Sequence, residues 1–154
     1  AAWRVAYRGI VADAELDALD DAAELARWRH FATEFATNGS TLLVATTDDG
    51  ALPARVVGYA LTRARARDDA LAEDVGELIA IYVAPEAWGT GAGQRLLDGG
   101  TAELRAAGCA DAVLWTFEAN LRARRFYERN GWMPDGASDR YQGQPELRYR
   151  RSLA

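Results

Sequence analysis

The chain has 154 residues, of which 49% are hydrophobic and 27% charged, with a formal net charge of −5. That length and apolar content suit one domain, 1–154, with its own core. The acidic balance argues against a nucleic-acid binder, which carries a basic surplus. No apolar run approaches the roughly 20 residues of a membrane helix, so no membrane partner is expected.

Cys109 is the single cysteine, which excludes an intrachain disulfide and fits a reducing compartment. A cytoplasmic location is therefore expected, and no signal peptide is visible from Ala1 onward. In the context Gly108-Cys109-Ala110 the thiol reads as a small, partly buried residue. No spacing of His, Cys, Asp and Glu suggests a metal site. All 18 basic side chains are arginine.

Trp3 to Arg8 alternates apolar and polar residues and predicts a first strand. Asp13 suits the N-cap of a helix starting at Ala14, with Leu16 and Leu19 inward. A second helix is predicted from Asp21 to Ala36, with Leu25, Trp28, Phe31, Ala32 and Phe35 at helical spacing, and Asn38-Gly39 stopping it. Thr41 to Thr47 and Arg55 to Arg65 read as antiparallel strands around the turn Asp48-Asp49-Gly50. Gly58 inside the second strand implies a bend or close packing. Arg67 to Glu73 reads as a loop.

The stretch from Gly76 to Leu97 organises the rest. Glu77 to Val83 reads as a buried strand, which Pro85 stops because proline has no N–H for a ladder. Gly89-Thr90-Gly91-Ala92-Gly93 follows, and Gln94, Arg95, Leu96 and Leu97 begin a helix that runs to Ala107. A strand, a glycine-rich turn and a helix start make an anion cradle. The glycines let backbone approach a phosphate, and the free N–H groups and the dipole of the helix favour negative charge. The spacing is not that of a Rossmann fingerprint, and a chain without lysine has no P-loop. Gly99-Gly100 inside the helix implies close packing on the sheet.

Ala112 to Phe117 reads as a second buried strand. Asn120 then caps a helix from Leu121 to about Arg129, ended by Asn130-Gly131. Gly131 to Met133 starts another strand, Pro134 to Asp139 reads as a loop, and Pro145 to Arg151 as a final strand. Asn120 and Tyr127 are seven residues apart. Two helical turns take about 7.2 residues, so both can address one cleft.

The glycine turn resembles the central motif of the GNAT family of N-acetyltransferases, with Gly91 and Gly93 as its last two anchors. Trp88 stands where that family has Arg or Gln, and Arg95 in the first helical turn is a substitute source of charge. The segment Asn120, Ala123, Phe126-Tyr127, Asn130-Gly131-Trp132 resembles the family's second cofactor motif. The resemblance implies an α/β fold of α+β type: one GNAT-like domain, with a mixed central sheet whose parallel strands splay, flanked by helices.

It also implies acetyl-CoA as co-substrate and no metal. The pantetheine arm would lie along Ile81, Tyr82 and Val83. The pyrophosphate would sit on Gly89, Thr90, Gly91, Ala92, Gly93 and Gln94, with Arg95 nearby. Asn120 would hydrogen-bond the arm, and Tyr127 would sit near the thioester sulfur and protonate the leaving thiolate. The reaction implied is direct transfer of acetyl to a primary amine in a ternary complex. A free alkyl ammonium has a pKa near 10, so a base is required, and Glu77 is the candidate. Desolvation at the edge of an apolar strand would raise its pKa.

The acceptor is a small-molecule or protein amine, and a homodimer is compatible with this reading. The helix around Trp28 and His30 and the segment Asp139 to Gln142 would border the acceptor, with Glu118, Trp115 and Tyr141 as further candidates. The alternatives are a catalytically inactive acyl-CoA-binding module of the same fold and an ordinary α/β nucleotide binder.

Overall fold

The middle of the chain builds the sheet. β1 (Ser40–Thr46) pairs antiparallel with β2 (Val56–Arg63), and β2 with β3 (Val75–Val83). A 3₁₀ turn (Pro85–Ala87) and helix α2 (Ala92–Ala106) carry the chain across to β4 (Asp111–Phe117), parallel to β3. Helix α3 (Leu121–Arg129) and the antiparallel strands β5 (Met133–Tyr141) and β6 (Gln144–Ser152) complete it. The spatial order of the six strands is β1-β2-β3-β4-β6-β5. Near the start lies the short helix α1 (Asp13–Asp17). The computed structural model describes residues 5, 7–18, 20, 22–23, 26, 29, 39–47 and 54–154.

The decisive feature of the sheet is where β3 and β4 stop pairing. They are in register only at Val75, Gly76 and Glu77, opposite Asp111, Ala112 and Val113. On its other edge β3 stays bonded to β2 as far as Val83. Between Leu61 and Thr62 that register slips: Thr62 faces Leu78 and Leu61 faces Ala80, so Ile79 is an extra residue. A bulge of this kind bends its strand and increases the twist. It falls just beyond the last β3–β4 pair, while β4 remains paired with β6 along its whole length. The two parallel strands therefore part and leave a wedge.

One face of the sheet is covered by α2 and α3. Leu96, Leu97 and Leu104 of α2 are buried with Ala60, Leu78, Ala112 and Leu114 of the sheet and with Tyr127, Trp132 and Tyr149. Each fully buried leucine contributes about 1.5–3 kcal/mol relative to exposure. Gly99-Gly100 is there for contact: a Cβ on Gly100 would meet Thr62 Cγ2 at 3.1 Å, and one on Gly99 would meet Leu43 Cδ1 at 3.1 Å. Gly58 is likewise a close approach, with Tyr82 O at 2.7 Å from where its Cβ would be. Near Phe117, Val11 and Leu16 form a separate cluster with Tyr7 and Ile10 packed on it.

Two expected elements differ. The strand over Trp3 to Arg8 does not join the sheet: Val5 is helical, Tyr7 is in a turn, and Arg8 makes one isolated bridge to Val11. Local hydrogen bonds win there, since Ile10 N and Val11 N both donate to Tyr7 O at 2.9 and 3.0 Å. The loop expected over Pro134 to Asp139 is instead part of β5. β5 lies at the sheet edge and is almost wholly exposed, so it carries no apolar alternation. Its pairing with β6 slips between Pro134 and Ser138, around Gly136. Of the helix expected over 21–36, only residues 22, 23, 26 and 29 are described, all helical. Leu19, Trp28, His30 and the turn at 48–50 lie outside the described residues.

Candidate active site

The wedge opens into a cavity of about 950 Å³, lined by Leu78 to Val83 on one side and Trp115 to Phe117 on the other. That is at the upper end of the range for small-molecule and cofactor sites. The turn residues Gly89, Gly91, Gly93 and Gln94 line it, as do Asn120 and Tyr127. The two sequence motifs therefore meet in one cleft. Thr90, Ala92 and Arg95 do not line it.

The glycine turn is built as the local sequence demands. Gly91, the N-cap of α2, has φ of +82°, a left-handed conformation that suits glycine. It offers no side-chain cap. Thr90 Oγ1 instead donates to Ala87 O at 2.8 Å, and Arg95 N donates to Gly91 O at 3.0 Å. Among the described residues the N–H groups of Gly93 and Gln94 have no acceptor. Two free donors at a helix start, at the mouth of a wedge, are the kind of donor set that an anion requires. The Gln94 side-chain amide donates to Asp98 and Asn130, at 3.0 and 2.7 Å.

Trp88 is a structural pin here. Its indole N–H donates to Val83 O at 2.8 Å. Of the edge Ile81 to Val83, one carbonyl is thus already engaged. The Arg122 guanidinium carbon stands 3.3 Å from the centre of the Trp88 ring. Arg122 lines the cavity, and burial lowers its pKa from the usual guanidinium value. It has no hydrogen bond or ion pair among the described residues. No motif in the sequence marks Arg122; Trp88 in place of Arg or Gln is the one local signal that points to a cation elsewhere.

Asn120 caps α3, its side-chain oxygen accepting from Ala123 N at 3.1 Å. Its amide nitrogen keeps both protons free toward the cavity it lines. Tyr127 is the buried residue of α3, packed on Phe126, Trp132 and Tyr149 with ring centres 5.5, 6.3 and 6.3 Å away. Burial pushes its phenol far up, with a smaller contribution from Tyr7. It is therefore protonated throughout the physiological range.

Glu77 departs from the expected setting of a lone, desolvated carboxylate. It is 3% exposed, and its Oε2 accepts from the Arg63 guanidinium at 2.7 Å and from Arg67 N at 3.0 Å. Its Oε1 lies 3.5 Å from Arg67 Nε. Two arginines thus compensate the buried charge, and the contact ties the loop between β2 and β3 to the sheet.

The end of the cleft away from the glycine turn is aromatic. Tyr7 packs edge-on against Phe117 at 5.0 Å between ring centres, and its hydroxyl is 3.2 Å from that of Tyr82. Tyr141 lies 6.3 Å from Phe117. Glu146 sits directly opposite Phe117 in the β4–β6 ladder and opposite Asp139 on β5. Residues facing each other in an antiparallel pair share one face, and Glu146 lines the cavity with Tyr7 and Tyr141. Nothing in the local sequence marked Glu146.

Trp115 also lines the cleft, with Arg148 5.6 Å above its ring, whereas Glu118 borders a second hollow together with Asp139 and Arg140, and Glu146 lines both. No described helix is long and apolar enough to cross a membrane, and no described group of three or more His, Cys, Asp or Glu could hold a metal ion.

The chain is a mixed-sheet α/β domain whose glycine turn and helix start open into a partly aromatic cleft. The Acetyltransferase (GNAT) family profile matches residues 6–132, and the chain belongs to that family. The mycothiol acetyltransferase of Thermobispora bispora is 36% identical over 77 residues, 50% of this chain and 26% of that protein. That of Geodermatophilus obscurus is 36% identical over 78 residues, 51% and 25%. The matches thus span about a quarter of the length of these curated relatives.

A GNAT-family protein from Desulfovibrio desulfuricans superposes with a TM-score of 0.68 at 25% identity, over 99% of this chain and 89% of that one. The PaiA N-acetyltransferase of Thermoplasma acidophilum, solved with coenzyme A, superposes with a TM-score of 0.72 at 16% identity, over 98% and 86%.

Proposed function

We propose that the chain is an N-acetyltransferase that moves acetyl from acetyl-CoA to a primary amine by direct attack in a ternary complex. The observation that carries this is the parting of β3 from β4 directly beside free N–H groups of α2. A cleft of that shape takes a long thioester arm at one end and its phosphates at the other. The pyrophosphate would rest on Gly93 and Gln94 N–H, with the Arg122 guanidinium alongside. The arm would run past the Ile81 and Tyr82 backbone and the Asn120 amide.

The family's relatives that transfer acetyl groups support the same reading, and they count against an inactive acyl-CoA holder. We place this activity in the cytoplasm, in line with the single cysteine, and take residues 1–154 as one acetyltransferase domain.

The chemistry follows from the residues present. A neutral amine attacks the thioester carbonyl, the C–N bond forms, the C–S bond breaks and the sulfur leaves with the electron pair. The Tyr127 hydroxyl supplies a proton to that sulfur. Burial keeps that hydroxyl protonated and also makes it a weaker acid, so its proton moves only as negative charge builds on the sulfur. Glu77, locked between Arg63 and Arg67, can serve as base only if one of those contacts opens.

Coenzyme A should raise the melting temperature of the protein, since a ligand that binds only the folded state stabilises it. Gly91→Val should abolish that shift, because it forces a β-branched residue to a positive φ and fills the cradle. No shift at millimolar coenzyme A, or no thiol release from acetyl-CoA with a broad amine panel, would sink the proposal.

A further inference from the structure

The aromatic end of the cleft has a chemistry of its own. Tyr7, Phe117 and Tyr141 supply ring faces and edges around the Glu146 carboxylate. Glu146 differs from Glu77 in one respect that matters: it makes no hydrogen bond or ion pair among the described residues. A half-buried carboxylate without a partner, set among aromatic rings, is a site for a cation that brings apolar surface with it.

We propose that this end is the acceptor subsite, that it takes a primary ammonium carried on an aromatic or alkyl body, and that Glu146 pairs with the ammonium and removes its proton. The inference rests on the acetyltransferase reading and deepens it.

The step balances. The ammonium gives one proton to Glu146, which passes it to water. The freed lone pair forms the C–N bond while the C–S electron pair leaves on sulfur. The second nitrogen proton replaces the one Tyr127 gives to the thiolate. The products are an amide, the coenzyme A thiol and one proton in solvent. Glu146 and Tyr127 both line this one cleft.

Burial raises the Glu146 pKa, Asp139 on β5 adds to this, and Arg67 from the β2–β3 loop opposes it. Tyr7, whose phenol burial pushes up, and Tyr141 are the other titratable groups lining this end of the cavity. Arg67 is shared with Glu77 and does not pair with Glu146.

The test uses 2-phenylethylamine as probe and coenzyme A as a dead-end partner. With coenzyme A bound, the amine should raise the melting temperature of the wild type further, and Glu146→Gln should lose this second shift while keeping the first. With acetyl-CoA, kcat/KM for the amine should fall by about 10²-fold in Glu146→Gln. The acidic limb of its pH profile should disappear.

A Glu146→Gln protein that keeps the second shift and the acidic limb overturns the subsite. So does a wild type that binds coenzyme A but neither binds nor acetylates 2-phenylethylamine or butylamine. Absence of any coenzyme A shift in the wild type overturns the transferase reading and the subsite with it.

Discussion

The Arg122 guanidinium is stacked 3.3 Å above the Trp88 ring at the mouth of the glycine turn. Trp88 fills the position where the family's motif has a cationic or amide side chain, and its indole is held by Val83 O. The ring thus holds a guanidinium from another helix beside the glycine turn. Cation–π stacking of this kind is worth about 0.5–2 kcal/mol. It leaves the edge N–H groups of Arg122 free for phosphate oxygens.

Arg122→Ala should therefore weaken coenzyme A binding by about tenfold or more, on the scale of one lost charge-assisted hydrogen bond. Turnover of S-acetylpantetheine, which lacks the pyrophosphate, should be unchanged. Trp88→Phe keeps the ring face and should bind coenzyme A nearly as well as wild type. Calorimetry on the three proteins checks this, and equal affinity for Arg122→Ala would remove the clamp.

Glu77→Gln should be mainly a stability mutant. It leaves Arg63, 29% exposed at its side chain, without its carboxylate. Breaking a fully buried pair costs about 3–5 kcal/mol, and partial exposure of Arg63 brings the expectation to about 2–3 kcal/mol. Denaturant melts measure it. A variant with wild-type stability and a collapsed single-turnover rate would instead make Glu77 the base.

Tyr127→Phe keeps the ring packed on Phe126, Trp132 and Tyr149 and removes only the hydroxyl. Folding should be nearly unchanged. Single-turnover acetyl transfer should drop by about 10²-fold, with little change in KM for acetyl-CoA. A wild-type single-turnover rate would leave Tyr127 as a packing residue and pass the proton to water.

Glu146 also predicts a pH dependence of stability. Its folded pKa is raised above the ordinary carboxylate value by burial. The folded state therefore holds that proton more tightly than the unfolded chain does. The stabilisation is full below the unfolded value of about 4.3 and is lost as pH rises through the folded pKa. Glu146→Gln should thus gain on wild type at pH 7, and the gap should shrink as pH falls through the folded pKa and level off below about pH 4. Melting curves from pH 3.5 to 8 read this directly, and a pH-independent gap would contradict the raised pKa.

Local physics made much of this protein legible from its sequence. Pro85 stopping β3, the left-handed Gly91 at the head of α2, and Asn120 capping Leu121–Arg129 each depend on neighbours within a few residues. The approximate places of β1 to β4, the strand-turn-helix around Gly91 and the meeting of Asn120 with Tyr127 in one cleft were readable for that reason. Gly58 and Gly99-Gly100 were readable as close contacts, though not what they touch.

Tertiary structure alone decided the rest. β5 is an exposed edge held by β6, so its own residues carry no alternation to read. The wedge depends on a register slip that makes Ile79 an extra residue, which is a property of two strands and not of either. Glu77 had the sequence of a strand-start carboxylate, yet its character comes from Arg63 and Arg67, brought to it across the β2–β3 turn. Arg122 meets Trp88, and Glu146 meets Phe117, only because α3 and β6 pack where they do. Charge and hydrogen-bond partners act through space, so residues that look alike in the chain, such as Glu77 and Glu146, acquire opposite settings once the sheet closes.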